Sequence, residues 1–142
     1  NKEILLVESF GTIQFPGGHI EENESLNDAL IREVKEETGM TLTGQFEPFY
    51  AIKYYLKDFP VIGNNRSIEI YYYYIPTDKK FNTQKLYLDD QERTGDFKLY
   101  YVPIKDMKKV LDKNIHNNQI NKIVNREMKL AIKNLKKRGI KL

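Results

Sequence analysis

Three glutamates, Glu33, Glu36 and Glu37, crowd beside Arg32 in the segment REVKEETGM. Carboxylates this close repel one another, and Glu36 and Glu37 fall in what the pattern makes the last turn of a helix, where the macrodipole favours cations. Arg32 reaches Glu36 at i,i+4, but Lys35 points to the opposite side of the cylinder, so the segment does not balance its own charge. A divalent cation would supply the balance, and ligation by carboxylate oxygen suits Mg²⁺ or Mn²⁺. The plainer reading of such a segment is a solvated acidic face, and the surrounding residues decide between the two.

The elements that must carry these acids are legible on either side. Ser25 with Asp28 forms a capping-box signature and Gly39 stands where a left-handed residue ends a helix, which predicts a helix over 26–38. Leu26, Ala29, Leu30 and Val34 make its apolar stripe, and the glutamates take over or adjoin the same side. Upstream, Pro16-Gly17-Gly18 predicts a tight turn whose glycines let the backbone approach a ligand or ion closely.

Gly18, Glu24, Arg32, Glu33, Val34, Glu36, Glu37, Gly39 and Met40 fit the pattern G-x5-E-x7-R-E-U-x-E-E-x-G-U, with U a bulky aliphatic, at every specified position. This resembles the Nudix box of the Nudix hydrolases, and Phe15-Pro16-Gly17-Gly18 is similar to that family's lead-in to the box. The resemblance implies an α/β/α sandwich in which a mixed β-sheet lies between the box helix and the C-terminal helices, with one domain spanning 1–142. It implies metal-dependent hydrolysis of a pyrophosphate bond in a nucleoside diphosphate linked to another moiety. Carried over by position, Glu36 and Glu37 are the principal metal ligands, with Glu33 and the Gly18 carbonyl contributing. Arg32 orients a box glutamate, Glu24 ties the loop to the helix or binds metal through water, and Gly39 and Gly18 do backbone work. The general base is Glu33 or an acid of the loop before the last strand, and Glu92 is favoured there by position. Tyr54 or Tyr55 resembles a tyrosine found downstream of the box in diadenosine-polyphosphate hydrolases. These two and Tyr73 are candidates to stack on a nucleobase, and His19 to touch a phosphate; His116 carries little weight.

The rest of the chain supplies the frame. Apolar runs predict strands at 2–8, 45–56, 67–75 and 97–103, and helical periodicity extends over 105–113 and 119–138. The run SIEIYYYYI is apolar on both faces, which predicts a central strand, whereas Thr77 to Asp96 reads as a long loop with a short strand at 85–88. In the last helix Ile120, Ile123, Val124, Met128, Ala131, Ile132 and Leu135 make a face that is core or homodimer contact. Its other side, with Lys129, Lys133, Lys136, Lys137 and Arg138, reads as solvated or as a phosphate-binding patch. The apolar run begins almost at the first residue, and the family places another strand ahead of it, so a further N-terminal strand is expected before Asn1.

Composition bounds the alternatives. The chain of 142 residues is of single-domain length, and 40% apolar with 30% charged residues is ordinary for a globular protein. The absence of cysteine excludes disulfides and thiolate metal sites, and no apolar run approaches bilayer length. Both favour the cytoplasm and argue against a membrane partner. A net charge of +3 argues against nucleic acid as a partner. The alternative to an enzyme is a non-catalytic Nudix-fold module that binds a nucleotide or RNA, and the complete set of box acids disfavours it. Isopentenyl isomerases, which share the fold, expect a cysteine that is absent here.

Overall fold

The computed structural model describes residues 2–113 and 119–140, with the side chains of Gln119 and Ile120 outside the description; His116 also lies outside it. In order, the elements are β1 (Glu3–Ser9), β2 (Thr12–Gln14), α1 (Leu26–Thr38), β3 (Tyr50–Leu56), β4 (Arg66–Tyr72), α2 (Asp90–Thr94), β5 (Lys98–Pro103), α3 (Met107–Lys113) and α4 (Gln119–Lys137). Single 3₁₀ turns stand at Thr83–Lys85 and Ile104–Asp106.

β1 shows how the layers arise. Successive side chains of a strand point to opposite faces. Leu6 joins Val102, Met107, Leu111 and Met128 in one core cluster, whereas its neighbour Leu5 packs with Val34, Met40 and Leu42 in another. The sheet containing β1 therefore has α1 on one side and α3 with α4 on the other, as the sandwich requires. Leu6, Leu111 and Met128 are almost wholly buried, and each such burial is worth about 1.5–3 kcal/mol.

The α/β layering agrees with the sequence reading, but the expectation of one mixed sheet needs correction. Among the described residues the strands pair antiparallel in two sheets, β2-β1-β5 and β3-β4. The predicted strand 45–56 begins only at Tyr50, because Pro48 has no N–H to give a ladder. The strand predicted over 67–75 ends at Tyr72, opposite Tyr50, where its partner runs out. Nor is β4 central: among the described strands it pairs with β3 alone, and its first four residues are exposed. Tyrosine misled the expectation, since its ring packs while its hydroxyl stays wet. The strand expected at 85–88 is absent, and the loop carries instead the 3₁₀ turn and the short helix α2.

In α4, Met128, Ala131 and Leu135 are buried as predicted, but Ile123 is half exposed. Buried polar groups on the same helix find partners: the Thr12 hydroxyl donates to Asn121 Oδ1 at 2.5 Å, and Asn125 Nδ2 donates to the Leu111 carbonyl. No helix among the described residues is long and apolar enough to cross a membrane.

Candidate active site

The acids are held by α1 and by the loops at its two ends. Ser25 caps the helix by accepting from the Asp28 N–H at 3.1 Å, and Gly39 closes it at φ 70°, returning its N–H to the Lys35 carbonyl. The last carbonyls of a helix have no partners within it. Here Tyr87 N–H donates to the Glu36 carbonyl and Asn82 N–H to the Thr38 carbonyl, both at 2.8 Å, so the segment after β4 wraps the C-terminus of α1. A side chain at Gly39 would collide with the Asn82 carbonyl. Both box glycines expected to do backbone work are therefore tightly constrained, since a Cβ at Gly18 would sit on the Glu33 carboxylate.

Arg32 is the organising cation. Its Nε and Nη2 make a bidentate pair with Glu24 at 2.8 and 2.9 Å, and Nη1 donates to Glu33 at 2.7 Å and to Glu36 at 3.0 Å. Nη2 also donates to the His19 carbonyl at 2.8 Å, which pins the loop between Gly18 and Glu24 to the helix. The Arg32 hydrogen bonds hold the Glu24 carboxyl down at about 2, and those carboxylates raise the Arg32 pKa in return. His19 thus contributes its backbone, while its residue is exposed.

Charge beyond the reach of this one cation gathers around Glu37. Its carboxyl is buried, and burial pushes its pKa up to about 8 despite a 2.7 Å hydrogen bond from Gly17 N–H; Glu92 and Glu33 raise it further. Burial likewise raises Glu33, against the pull of Arg32, and Glu36 and Glu92 add to the shift. Glu92 therefore faces the box acids from α2, as its position in the sequence suggested. Its own placement comes from a capping box: Asp89 Oδ1 accepts from Glu92 N–H at 2.7 Å, and Glu92 Oε2 accepts from Asp89 N–H at 2.8 Å. Below α2, Gly95 has no room for a Cβ against Ser9 and the Phe10 ring, and its carbonyl accepts from Phe10 N–H at 2.8 Å. Phe10 and Gly11, both at positive φ, form the two-residue turn between β1 and β2.

Among the described residues no three His, Cys, Asp or Glu side chains stand ready to hold an ion, because Arg32 draws Glu33 and Glu36 to itself and Gly17 engages Glu37. The donor set nonetheless fits a hard divalent cation. It is all oxygen, it carries more negative charge than Arg32 offsets, and Gly18 leaves the Glu33 carboxylate lying against bare backbone.

The tyrosines do not join this cluster. Tyr54 donates to Glu127 of α4 at 2.7 Å, and burial with that carboxylate pushes its pKa up to about 12. Tyr55 points to the other face of β3, 78% exposed, with Lys53 over its ring. The Tyr73 hydroxyl is buried without a hydrogen-bond partner among the described residues. The aromatic residue that does border the box is Tyr87, which lines an open groove with Glu24, Asp28, Ile31, Arg32, Lys35 and Glu36. Nothing in the sequence near Tyr87 marked it. Lys35 was expected on the opposite side, yet it lines the same groove, because it stands about 20°, 40° and 60° around the cylinder from Asp28, Ile31 and Arg32.

Two antiparallel sheets, a glutamate-rich helix between glycine-bearing loops and an arginine gripping its acids define the class, and the chain belongs to the Nudix family, whose domain model matches residues 1–123. A relative in the same class, the 8-oxo-dGTP diphosphatase of Buchnera aphidicola subsp. Schizaphis graminum (strain Sg), is 46% identical over 44 residues. That stretch is 31% of this chain and 33% of the relative, so the match spans about a third of the relative's length.

Proposed function

We propose that the chain is a Nudix pyrophosphohydrolase that cleaves a pyrophosphate bond of a nucleoside polyphosphate with the help of Mg²⁺ or Mn²⁺. The observation that carries this reading is the crowding of Glu33 and Glu92 around the buried Glu37 carboxyl, with Glu24 and Glu36 already sharing Arg32. Glu36 and Glu37 are the principal ligands in this reading, with Glu33 and the Gly18 carbonyl completing the set. When bound, the cation neutralises phosphate oxygens and acidifies a water.

The protein's own residues do the rest. Arg32 holds Glu33 and Glu36 at defined positions and anchors the His19 backbone, which shapes the loop a phosphate chain would meet. In this reading Glu92, held by the capping box near Glu37, takes the proton from the attacking water, with Glu33 as the other candidate base. Tyr87, 65% exposed at the groove rim, is the aromatic this reading assigns to base stacking, in place of Tyr54, Tyr55 and Tyr73.

The partial relative supports a purine nucleoside triphosphate, in ordinary or oxidised form, as the first substrate class to try. A panel of nucleoside triphosphates, oxidised purine triphosphates, dinucleoside polyphosphates and nucleotide sugars, incubated with Mg²⁺ or Mn²⁺, tests this through released phosphate or pyrophosphate. Turnover is expected in the triphosphate group and is lost on chelation. No turnover of any compound with either ion would overturn the assignment.

A further inference from the structure

We infer that the outward face of α4, extended by α3, is a docking surface for the phosphodiester backbone of a nucleic acid. The modest net charge of +3 conceals a segregation. Residues 104–142 hold 12 Lys and Arg against 3 Asp and Glu, a net +9, and residues 1–103 hold 11 against 17, a net −6. The two halves of this charge also part in space, because α1 with its glutamates lies on one side of the sheet and α3 with α4 on the other. Binding there is independent of the hydrolytic reading of the box.

The cations are arrayed as a line. At 100° per residue, Lys122, Arg126, Lys129, Lys133, Lys136 and Lys137 fall within an arc of about 100° on α4 and span about 22 Å of its axis. Each strand of a duplex rises about 3.4 Å per phosphate along the duplex axis, so this length runs beside about six phosphates of a strand that winds past it, and six cations set the upper bound on charge contacts. Five of the six side chains are exposed, and among the described residues none of those five is ion-paired. The sixth, Lys129, shares Asp112 with Lys108 of α3, each at 2.5 Å, which joins the two helices into one basic surface. Lys105, Lys109 and Lys113 continue it along a shallow groove.

The same helix argues against an anionic membrane as the occupant. An interfacial helix needs an apolar face to sink into the headgroups, and on α4 that face is used up inside the protein: Met128 and Ala131 are each 1% exposed and Leu135 6%. Outward, among the described residues, α4 presents its cations with one exposed large apolar side chain, Ile123, too little apolar surface for the helix to sink into headgroups. The stripe includes no aromatic side chain on which bases could stack, so the contact reads the backbone and not the sequence.

The test is binding of fluorescent oligonucleotides, as single-stranded RNA, single-stranded DNA and duplex DNA, by the whole chain in EDTA, which removes any metal-bridged contact at the box. Binding should weaken linearly in log-log form with salt, with a slope of about −4 for single strands and about −5 for duplex, and with little dependence on sequence. The triple variant Lys122→Gln/Lys133→Gln/Lys136→Gln should reduce the single-strand slope by about 2 and weaken binding roughly a hundredfold near 0.1 M salt. Its circular dichroism should match wild type, since the three residues are exposed. Glu36→Gln should bind like wild type, which separates this surface from the box. Absence of binding at low salt, a triple variant that binds as tightly as wild type, or stronger retention on phosphatidylserine vesicles than on any oligonucleotide would each overturn the inference.

Discussion

Glu37 is the residue on which electrostatics and proposed chemistry meet. Its folded-state pKa of about 8 lies well above the ordinary carboxyl value of 4.5, so without metal the folded state favours the protonated form. The stability this provides is complete below about pH 4.5 and is lost as pH rises through about 8, an effect on the order of a few kcal/mol. Thermal unfolding of the metal-free protein should therefore show Tm falling between pH 5 and 8, and Glu37→Gln should flatten that fall. Identical slopes for the two proteins would mean that Glu37 does not titrate as a buried carboxyl. The Arg32 pairing was readable from its i,i+4 distance to Glu36, but its bidentate hold on Glu24 was not, since the family pattern implied only that Arg32 orients some box glutamate. Gly17 N–H as partner of Glu37 was not readable at all, since it depends on how the loop folds back over the helix.

Among the elements, α1 was the most legible because cap, apolar stripe and terminal glycine all agreed, and its observed bounds match the expected 26–38. α2 was missed, although Asp89 and Glu92 carry the spacing of a capping box; with no apolar residue inside it, its periodicity is silent and only the cap speaks. That cap has a functional consequence, since the same Glu92 carboxylate closes the box and faces Glu33 and Glu37. Asp89→Ala should cost about 1 kcal/mol at most, because the helix is short and at the surface. It should nevertheless lower kcat while leaving KM near wild type, if Glu92 acts on the proton and not on substrate binding. A variant with unchanged kcat would remove α2 from the account. The β3-β4 hairpin shows the opposite failure, in which abundant tyrosine imitated a buried strand, and only pairing between distant segments could reveal that β4 has a free side among the described strands.

For the molecule as a whole, the α/β layering followed from the order of strands and helices, whereas the split into two antiparallel sheets depends on long-range pairing that local patterns do not encode. Net charge averages an acidic α1 and a basic α3-α4 layer that the fold keeps on opposite sides of a sheet. A cation that binds only the folded protein stabilises it by mass action, about 2.7 kcal/mol when present at a hundred times its Kd. For a chain of this size that corresponds to a rise in Tm of roughly 5–10 °C. The shift should be larger at pH 8 than at pH 5, since protons compete for the same carboxylates. The most direct test of the central claim is nucleoside triphosphate turnover by Glu36→Gln with saturating Mg²⁺, alongside wild type and the exposed-loop control Lys57→Gln. The variant removes a charge while keeping the shape of a half-exposed side chain, so it should fold as wild type yet lose about two or more orders of magnitude in kcat, with Lys57→Gln unaffected. Wild-type turnover by Glu36→Gln would contradict the catalytic reading of the box.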